Sequence, residues 1–339
     1  MDPLTQGVVG AVFAGGLAPR EQTRMAAIIG FLTGMLADLD VVITRADDPM
    51  FSLLIHRHFT HALVFIPVGG LIGALLLWPF FRNRLPFVRL LMFSTAGYAT
   101  AGIIDACTSY GTYLYWPLSD RRVAWDLISI IDPVFTGGLL IALLVAAIRR
   151  RPQAARSGVL FMLIYLSLGM VQRDRAAAAL REVAEVRGHA AERIAAKPSL
   201  FNLLLWRGLY EAGDEIHVDA IRVGFGLPEV YPGGRAKKFD PAELPEGIPP
   251  DSAQARDIER FVHFSDRWVA RHPDQPDLLG DLRYGALPDS VYPIWGIRLN
   301  PDRPELHAPF VHLREADREM LATFIRMVGG RSRQKKEAS

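Results

Sequence analysis

Three imidazoles stand within His56-Arg57-His58-Phe59-Thr60-His61, immediately before the apolar run 62–81. Two carboxylates, Asp38 and Asp40, close an earlier apolar run over 25–44, and a third, Asp105, closes the run 88–107. Ionisable groups at the depth of a bilayer are costly, and they normally face a bundle interior, pair with one another or hold an ion. A mixed set of imidazole and carboxylate suits a divalent transition metal, with zinc first and manganese or iron after it, whereas an all-oxygen cage would suit calcium or magnesium. The ligand set read from the sequence is therefore Asp38, Asp40, His56, His61 and Asp105. If residues 56–61 are helical, His58 and His61 share a face; in an irregular loop His56 and His61 turn inward together.

The chemistry that follows is hydrolysis. A bound ion lowers the pKa of water to about 7, and a spare aspartate, Asp40, serves as general base. Thr108 and Ser109 lie three and four residues after Asp105, placed either to orient its carboxylate or to cap the helix end. The adjacent guanidiniums of Arg121 and Arg122, beside Asp120, offer planar donors to a phosphate or carboxylate, or else pair with Asp120 and Asp126. Asp132, next to Pro133, is expected to face the bundle and pair with Arg121 or Arg122. The substrate implied is an anion, lipid-like or a phosphoester.

These residues must be positioned by membrane helices. The runs 62–81, 88–107 and 127–148 approach the roughly 20 apolar residues that cross a hydrocarbon core. The runs 25–44 and 157–171 are shorter or more polar, and 4–18 is a weaker sixth candidate. The opening run lacks the basic region of a signal peptide, Asp2 being the only charge before Arg20, and is read as a retained membrane segment. Basic residues mark cytoplasmic loops. Placing Arg20 and Arg24, then Arg82, Arg84 and Arg89, then Arg149, Arg150, Arg151 and Arg156 on that side puts every candidate ligand on the outer face, together with the C-terminal half. Gly30 with Gly34, and Gly69 with Gly73, are spaced as small-xxx-small helix-packing pairs.

Composition narrows the alternatives. Of 339 residues 50% are hydrophobic, mostly in the first half, and the net charge of +2 gives no support to a nucleic-acid surface. The single cysteine, Cys107, excludes a disulfide framework and any multi-cysteine zinc site. The fold expected is an α-helical polytopic membrane bundle of about five or six segments over residues 1–172 and a helical connector over 173–199. A soluble, mainly antiparallel β domain with flanking helices follows over 200–339. Within the last, Glu211-Ala212-Gly213-Asp214 marks a hairpin between 203–210 and 216–223. Segments 261–269, 279–284, 292–299 and 310–313 read as strands, 228–250 as loop, and 315–328 as an amphipathic helix stopped at Gly329-Gly330. His217, His263, His272, His307 and His312 lack ligand spacing and read as surface or hydrogen-bonded histidines. The run Arg331-Ser332-Arg333-Gln334-Lys335-Lys336 reads as a solvated tail.

Several motifs together carry a resemblance. Met1-Asp2-Pro3-Leu4-Thr5-Gln6-Gly7, Asp38-Leu39-Asp40, the histidine hexapeptide, Asp105-Ala106-Cys107-Thr108-Ser109-Tyr110-Gly111 and Trp116-Pro117-Leu118-Ser119-Asp120-Arg121-Arg122 occur in this order. As a set, covering roughly residues 1–135, they resemble the YdjM/YbcI-type family of membrane-bound metal-dependent hydrolases, a bacterial inner-membrane group. The resemblance implies a multi-pass inner-membrane protein with a hydrolase-like metal site. Many similar sequences carry His where this chain has Gln6, so the resemblance does not carry an N-terminal ligand over to this chain; many carry Gly where it has His58, which implies His56 and His61 as the ligands here. Two other classes use the same residues. One is a non-catalytic membrane protein whose C-terminal domain binds an envelope partner; the other is an ion or proton transporter.

Overall fold

A computed structural model describes residues 1–313 and 318–330. The basic tail 331–336 and the first residues of the expected helix 315–328 lie outside the described residues. The chain divides into two compact units, and each is described by itself. The first comprises Met1–Thr44, Leu54–Met170 and Leu200–Asn202; the second comprises Arg45–Leu53, Val171–Ser199 and the described residues from Leu203 on.

Helices build the first unit: α1 (Pro3–Leu17), α2 (Thr23–Gly34), α4 (Ile66–Phe81), α5 (Phe87–Ala106) and α6 (Pro133–Arg149); the short α3 (Pro49–Ile55), between α2 and α4 in the chain, belongs to the second unit as far as Leu53. The long α7 (Pro152–Val186) belongs to the first unit as far as Met170. Among the described residues four helical segments are long and apolar enough to cross a membrane: Arg20–Val42, Leu63–Phe81, Phe87–Ala106 and Pro152–Val186. α1 and α6 are shorter apolar helices of 15 and 17 residues. The expected span over 127–148 becomes helical only at Pro133. There Asp132 accepts the backbone N–H groups of Val134 and Phe135 as an N-cap, and proline occupies the first turn where its missing donor costs nothing. Asp2 does the same for α1, accepting from Thr5 N–H.

Many apolar side chains on these helices face outward, among them Leu75, Leu76 and Phe80 on α4 and Leu160 and Ile164 on α7. In water such a surface would be a liability; in lipid it is what a spanning helix presents. Inward, Val8, Val9 and Val12 of α1 pack with Ile104, Phe135 and Leu139. The crossing of α1 on α2 is so close that a side chain at Gly10 or Gly30 would collide with the other's carbonyl oxygen. The expected glycine pairs do pack helices: Gly69 lies against the Tyr98 ring, and Gly73 against Ser94 and Thr33.

Two antiparallel four-stranded sheets build the second unit, each in sequential order. The first sheet is β1 (Arg193–Pro198), β2 (Leu205–Ala212), β3 (Glu215–Arg222) and β4 (Glu229–Lys237). The second is β5 (Val269–His272), β6 (Gln275–Asp281), β7 (Trp295–Arg298) and β8 (Phe310–His312). Leu209, Ile216, Val218, Trp268 and Leu282 form their shared core. Helices α8 (Ala253–Phe264) and α9 (Arg318–Val328) flank the sheets, and α9 stops at Gly330, which has the left-handed φ of 75° of a helix-terminating glycine.

Three local expectations are corrected. Residues 261–269 are not one strand: Ile258, Phe261 and Val262 form the buried face of α8, whose first turn is capped by the Ser252 hydroxyl, and β5 begins only after Asp266 and Arg267 take positive φ. The loop expected over 228–250 contains β4, in which Pro232 is tolerated because the strand lies at a sheet edge. Gly233 there meets the carbonyls of Asp289 and Val218 where a side chain would stand. The helical connector expected over 173–199 is helical only to Val186, as part of α7, and β1 takes Arg193–Pro198.

Candidate metal centre

The two aspartates nearest the histidines sit on a seven-residue 3-10 run, Leu36–Val42, that tightens the chain directly after α2. At three residues per turn, positions two apart point in different directions. Asp38 and Asp40 accordingly reach opposite nitrogens of one ring. His61 Nε2 stands 3.1 Å from Asp38 Oδ1 and 3.1 Å from Asp105 Oδ2, while Nδ1 faces Thr60 Oγ1 at 3.0 Å and Asp40 Oδ2 at 3.5 Å.

The histidine segment is irregular, which decides between the two readings of the hexapeptide. Arg57 has a left-handed φ of 61°, and only a short 3-10 turn, Phe59–His61, follows. The Tyr98 hydroxyl of α5 donates to Thr60 O at 2.6 Å. One turn of α5 before Asp105, Gly102 lets the His61 carbonyl approach so closely that any Cβ would clash with it. Histidine and carboxylate are thereby brought to one level of the bundle.

Asp105 is fully buried and heavily engaged. It accepts from Gln6 Nε2 at 2.8 Å, faces Arg57 Nε at 3.2 Å and His61, and accepts from the α-amino group of Met1. Arg57 is itself 3% exposed. Asp40 accepts from Arg57 N–H at 2.8 Å and from the Thr60 hydroxyl at 2.7 Å, and pairs with His56 Nδ1 at 2.7 Å. Burial would lower the pKa of His61, but its hydrogen bonds to Asp105, Asp38 and Asp40 outweigh that and push it up to about 10.

One ligand atom from each of Asp38, His61 and Asp105 lies within 4.8 Å of the others, a grouping that could hold a metal ion. Two further observations fit a cation. Gln6 must turn its amide nitrogen to Asp105, because a carboxylate only accepts, and its buried Oε1 is then left without a hydrogen-bond donor. Thr60 Oγ1, which donates to Asp40, lies 3.0 Å from Nδ1, and with Asp40 behind it sets the ring so that Nε2 faces the other two carboxylates, a relay of the kind that orients metal-binding histidines.

The remaining expected site residues fall around this group. His56 and Asp40 form a pair beside the three-residue cluster rather than within it. His58 turns away from the carboxylates to lie 4.5 Å from the Tyr113 ring and 5.6 Å from that of Trp116. Thr108 donates to the backbone carbonyl of Asp105, so it caps the end of α5 and leaves the carboxylate alone. Ser109 is buried, its hydroxyl without a partner among the described residues. Arg122 stacks over Tyr110 and Tyr113 at 4.7 and 4.9 Å and reaches the carbonyls of Tyr110 and His56. Arg121 and Asp120 are exposed, and the Arg121 backbone N–H donates to the Ser119 hydroxyl. Asp132 pairs with neither arginine: beyond capping α6 it accepts from the Tyr165 hydroxyl at 2.8 Å.

Sequence reasoning passed over Arg57 and Thr60 although both lie inside the hexapeptide, because it weighed only the imidazoles there. It also could not foresee a second grouping, Asp48, Asp257 and His307, in the second unit. There the Arg260 guanidinium already bonds both Asp48 oxygens and Asp257 Oδ1, while His307 Nδ1 pairs with Asp257. A built-in cation serves that cluster.

Comparison with known proteins agrees with the helical half. Escherichia coli (strain K12) inner membrane protein YbcI is 28% identical over 131 residues, which cover 38% of this chain and 75% of that protein. No solved structure matches. The profile described as YdjM inner membrane protein matches residues 1–176, the stretch that carries every residue of the candidate centre, and the chain belongs to that inner-membrane family.

Proposed function

We propose that this protein is an inner-membrane metallohydrolase acting on an anionic lipid-like or phosphoester substrate. Asp38, His61 and Asp105 would hold a divalent ion, with zinc first and manganese or iron as alternatives, and Gln6 Oε1 is the neighbouring oxygen donor. The observation that carries this reading is the meeting of three such side chains from three separate elements around one buried imidazole nitrogen.

Charge is compatible with it. Asp38, Asp40 and Asp105 bring three negative charges against the single positive charge of Arg57, since burial favours the neutral form of the Met1 α-amino group, and a divalent ion beside a neutral His61 would supply the other two. Such an ion acts as a Lewis acid and makes hydroxide available near neutral pH. The chain's own residues supply the rest. His56, its side chain 24% exposed and its Nδ1 held by Asp40, is the group able to accept and return a proton through its other nitrogen. The base role expected of Asp40 thus passes to His56, with Asp40 as its orienter. Arg122, its guanidinium carbon 4.7 and 4.9 Å from the Tyr110 and Tyr113 ring centroids, would bind an anionic group, and exposed Arg121 would extend that positive rim. The basic clusters put the centre and the second unit on the outer face of the membrane; reporters fused after Arg89 and after Arg173 should read opposite compartments.

The test is metal analysis of detergent-purified wild type beside His61→Ala and Asp105→Asn, with hydrolysis of an aryl phosphodiester followed in parallel. Stoichiometric metal lost in both variants supports the centre; equal metal in all three removes it. One observation favours a second reading. Arg57 already neutralises Asp105 at 3.2 Å, as a purely structural network would arrange. In that case His61→Ala destabilises the helical unit while wild type carries no metal.

A further inference from the structure

The β3–β4 hairpin ends in a loop, Gly224-Phe225-Gly226-Leu227-Pro228, whose two large apolar side chains are the most exposed of their kind among the described residues. Phe225 is 109% exposed and Leu227 94%. Exposure of that degree stands out in a unit that buries Trp206, Trp268, Tyr210 and Phe261 almost completely. Nothing approaches Gly226 within 4 Å at the position of a side chain, so the tip stands clear of the protein around it.

The loop is fastened at one definite height on α7. Gln172 Nε2 donates to Val223 O at 2.8 Å. The Arg175 guanidinium donates to Gly224 O at 2.7 Å and to Gly226 O at 2.6 Å, and its other contact, Gln172 Oε1 at 2.7 Å, ties the two anchors together. These anchors follow directly on the apolar part of the same helix, whose last residues, Met170 and Val171, are 47% and 54% exposed. At 1.5 Å per residue, Arg175 lies only about 6 Å beyond Val171 along the axis. The headgroup layer on each side of the hydrocarbon core is about 5–8 Å deep. A loop held at Arg175 therefore sits in that layer.

We propose that the Phe225–Leu227 tip is an interfacial membrane anchor, seated in the headgroup and upper acyl region beside the point where α7 leaves the bilayer. The partner is the lipid itself. An aromatic and a branched aliphatic side chain on a glycine-flanked turn are the chemistry that enters that zone, and Arg175 spends its donors on the loop's carbonyls, sparing the turn unsatisfied backbone where water thins. The anchor fixes the second unit against the membrane surface through a contact separate from the helix that tethers it.

The experiment uses the full chain reconstituted at high lipid-to-protein ratio in phosphatidylethanolamine and phosphatidylglycerol vesicles. In a Cys107→Ala background, nitroxide labels are placed by Phe225→Cys, by Leu227→Cys and, as a water-exposed control, by Glu246→Cys. Collision with oxygen, which concentrates in lipid, is compared with collision with a water-soluble nickel complex. Labels at 225 and 227 that gain oxygen collisions and lose nickel collisions relative to 246 support the anchor. Labels as nickel-accessible as 246 overturn it. Labels shielded from both reagents, with dipolar broadening, show a second copy in place of lipid and overturn it as well. Two independent label sites keep the test decisive if one variant folds poorly.

Discussion

His61 Nε2 and Asp105 Oδ2 stand 3.1 Å apart with neither side chain reachable by solvent. One comes from an irregular loop and the other from the last turn of α5, and a buried imidazole–carboxylate pair of this kind is strongly destabilising to break from one side only. The pair therefore has to be tested with variants that separate metal loss from collapse of the bundle.

Asp105→Asn keeps the shape and hydrogen-bonding reach of the side chain while removing its charge. Metal content in the purified protein should fall toward zero, whereas His58→Ala, at a ring stacked on Tyr113 and Trp116, should leave it unchanged. Inductively coupled plasma measurements on both variants check this; metal retained in Asp105→Asn speaks against the ligand set.

Asp40 touches His61 on the nitrogen away from the proposed ion. Asp40→Asn should weaken metal affinity by about 10–100-fold without abolishing it, the range for a residue that orients a ligand. Competition titration against a chelator of known affinity measures the shift. A loss as complete as that of Asp105→Asn would make Asp40 a direct ligand.

Gly102→Ala places a methyl group against the His61 carbonyl. Overpacking of this kind costs about 1–3 kcal/mol, and here the strain falls on the segment that carries His61. Thermal unfolding in detergent should shift downward together with metal content. Gly137→Ala, where nothing lies within 4 Å, should change neither.

In the second unit, His217 is buried against Tyr210, with ring centroids 4.6 Å apart, and His189 lies 4.5 Å away. Burial first, and the nearby His189 second, hold its pKa below the usual 6.5. The unfolded chain then takes up the proton before the folded one does, so stability is present above 6.5 and is lost as the pH falls below it. Protection factors of the β2 and β3 amides, corrected for the pH dependence of intrinsic exchange, should fall between pH 7 and pH 5, and His217→Asn should flatten that dependence. An identical acid response in the variant would assign it to another group.

Much of the architecture could be read from residue patterns. The apolar runs locate the helices because a spanning helix must be uniformly hydrophobic. Glu211-Ala212-Gly213-Asp214 locates the β2–β3 turn, with Gly213 at a φ of 61°, because a tight hairpin requires a residue free to adopt it. Ionisable groups gathered near helix ends were likewise visible, since a charge at bilayer depth is too costly to be incidental.

Other features depended on partners far away in the sequence. Local alternation around Phe261 suggested a strand, but burial against the sheets makes Ile258, Phe261 and Val262 one helical face. Pro232-Gly233-Gly234 reads as loop until the edge of a sheet accepts it as β4. No spacing along the chain places Asp38 on Nε2 of His61 and Asp40 on Nδ1, slides Arg57 beside Asp105, or turns Asp132 to Tyr165. By itself the sequence determined a family of helices with costly polar ends and a β-rich second half. Which polar ends meet was decided by the tertiary structure, because helix crossings as close as Gly10 on Gly30 and Gly102 on His61 set the side-chain heights, and those depend on atoms brought together only by folding.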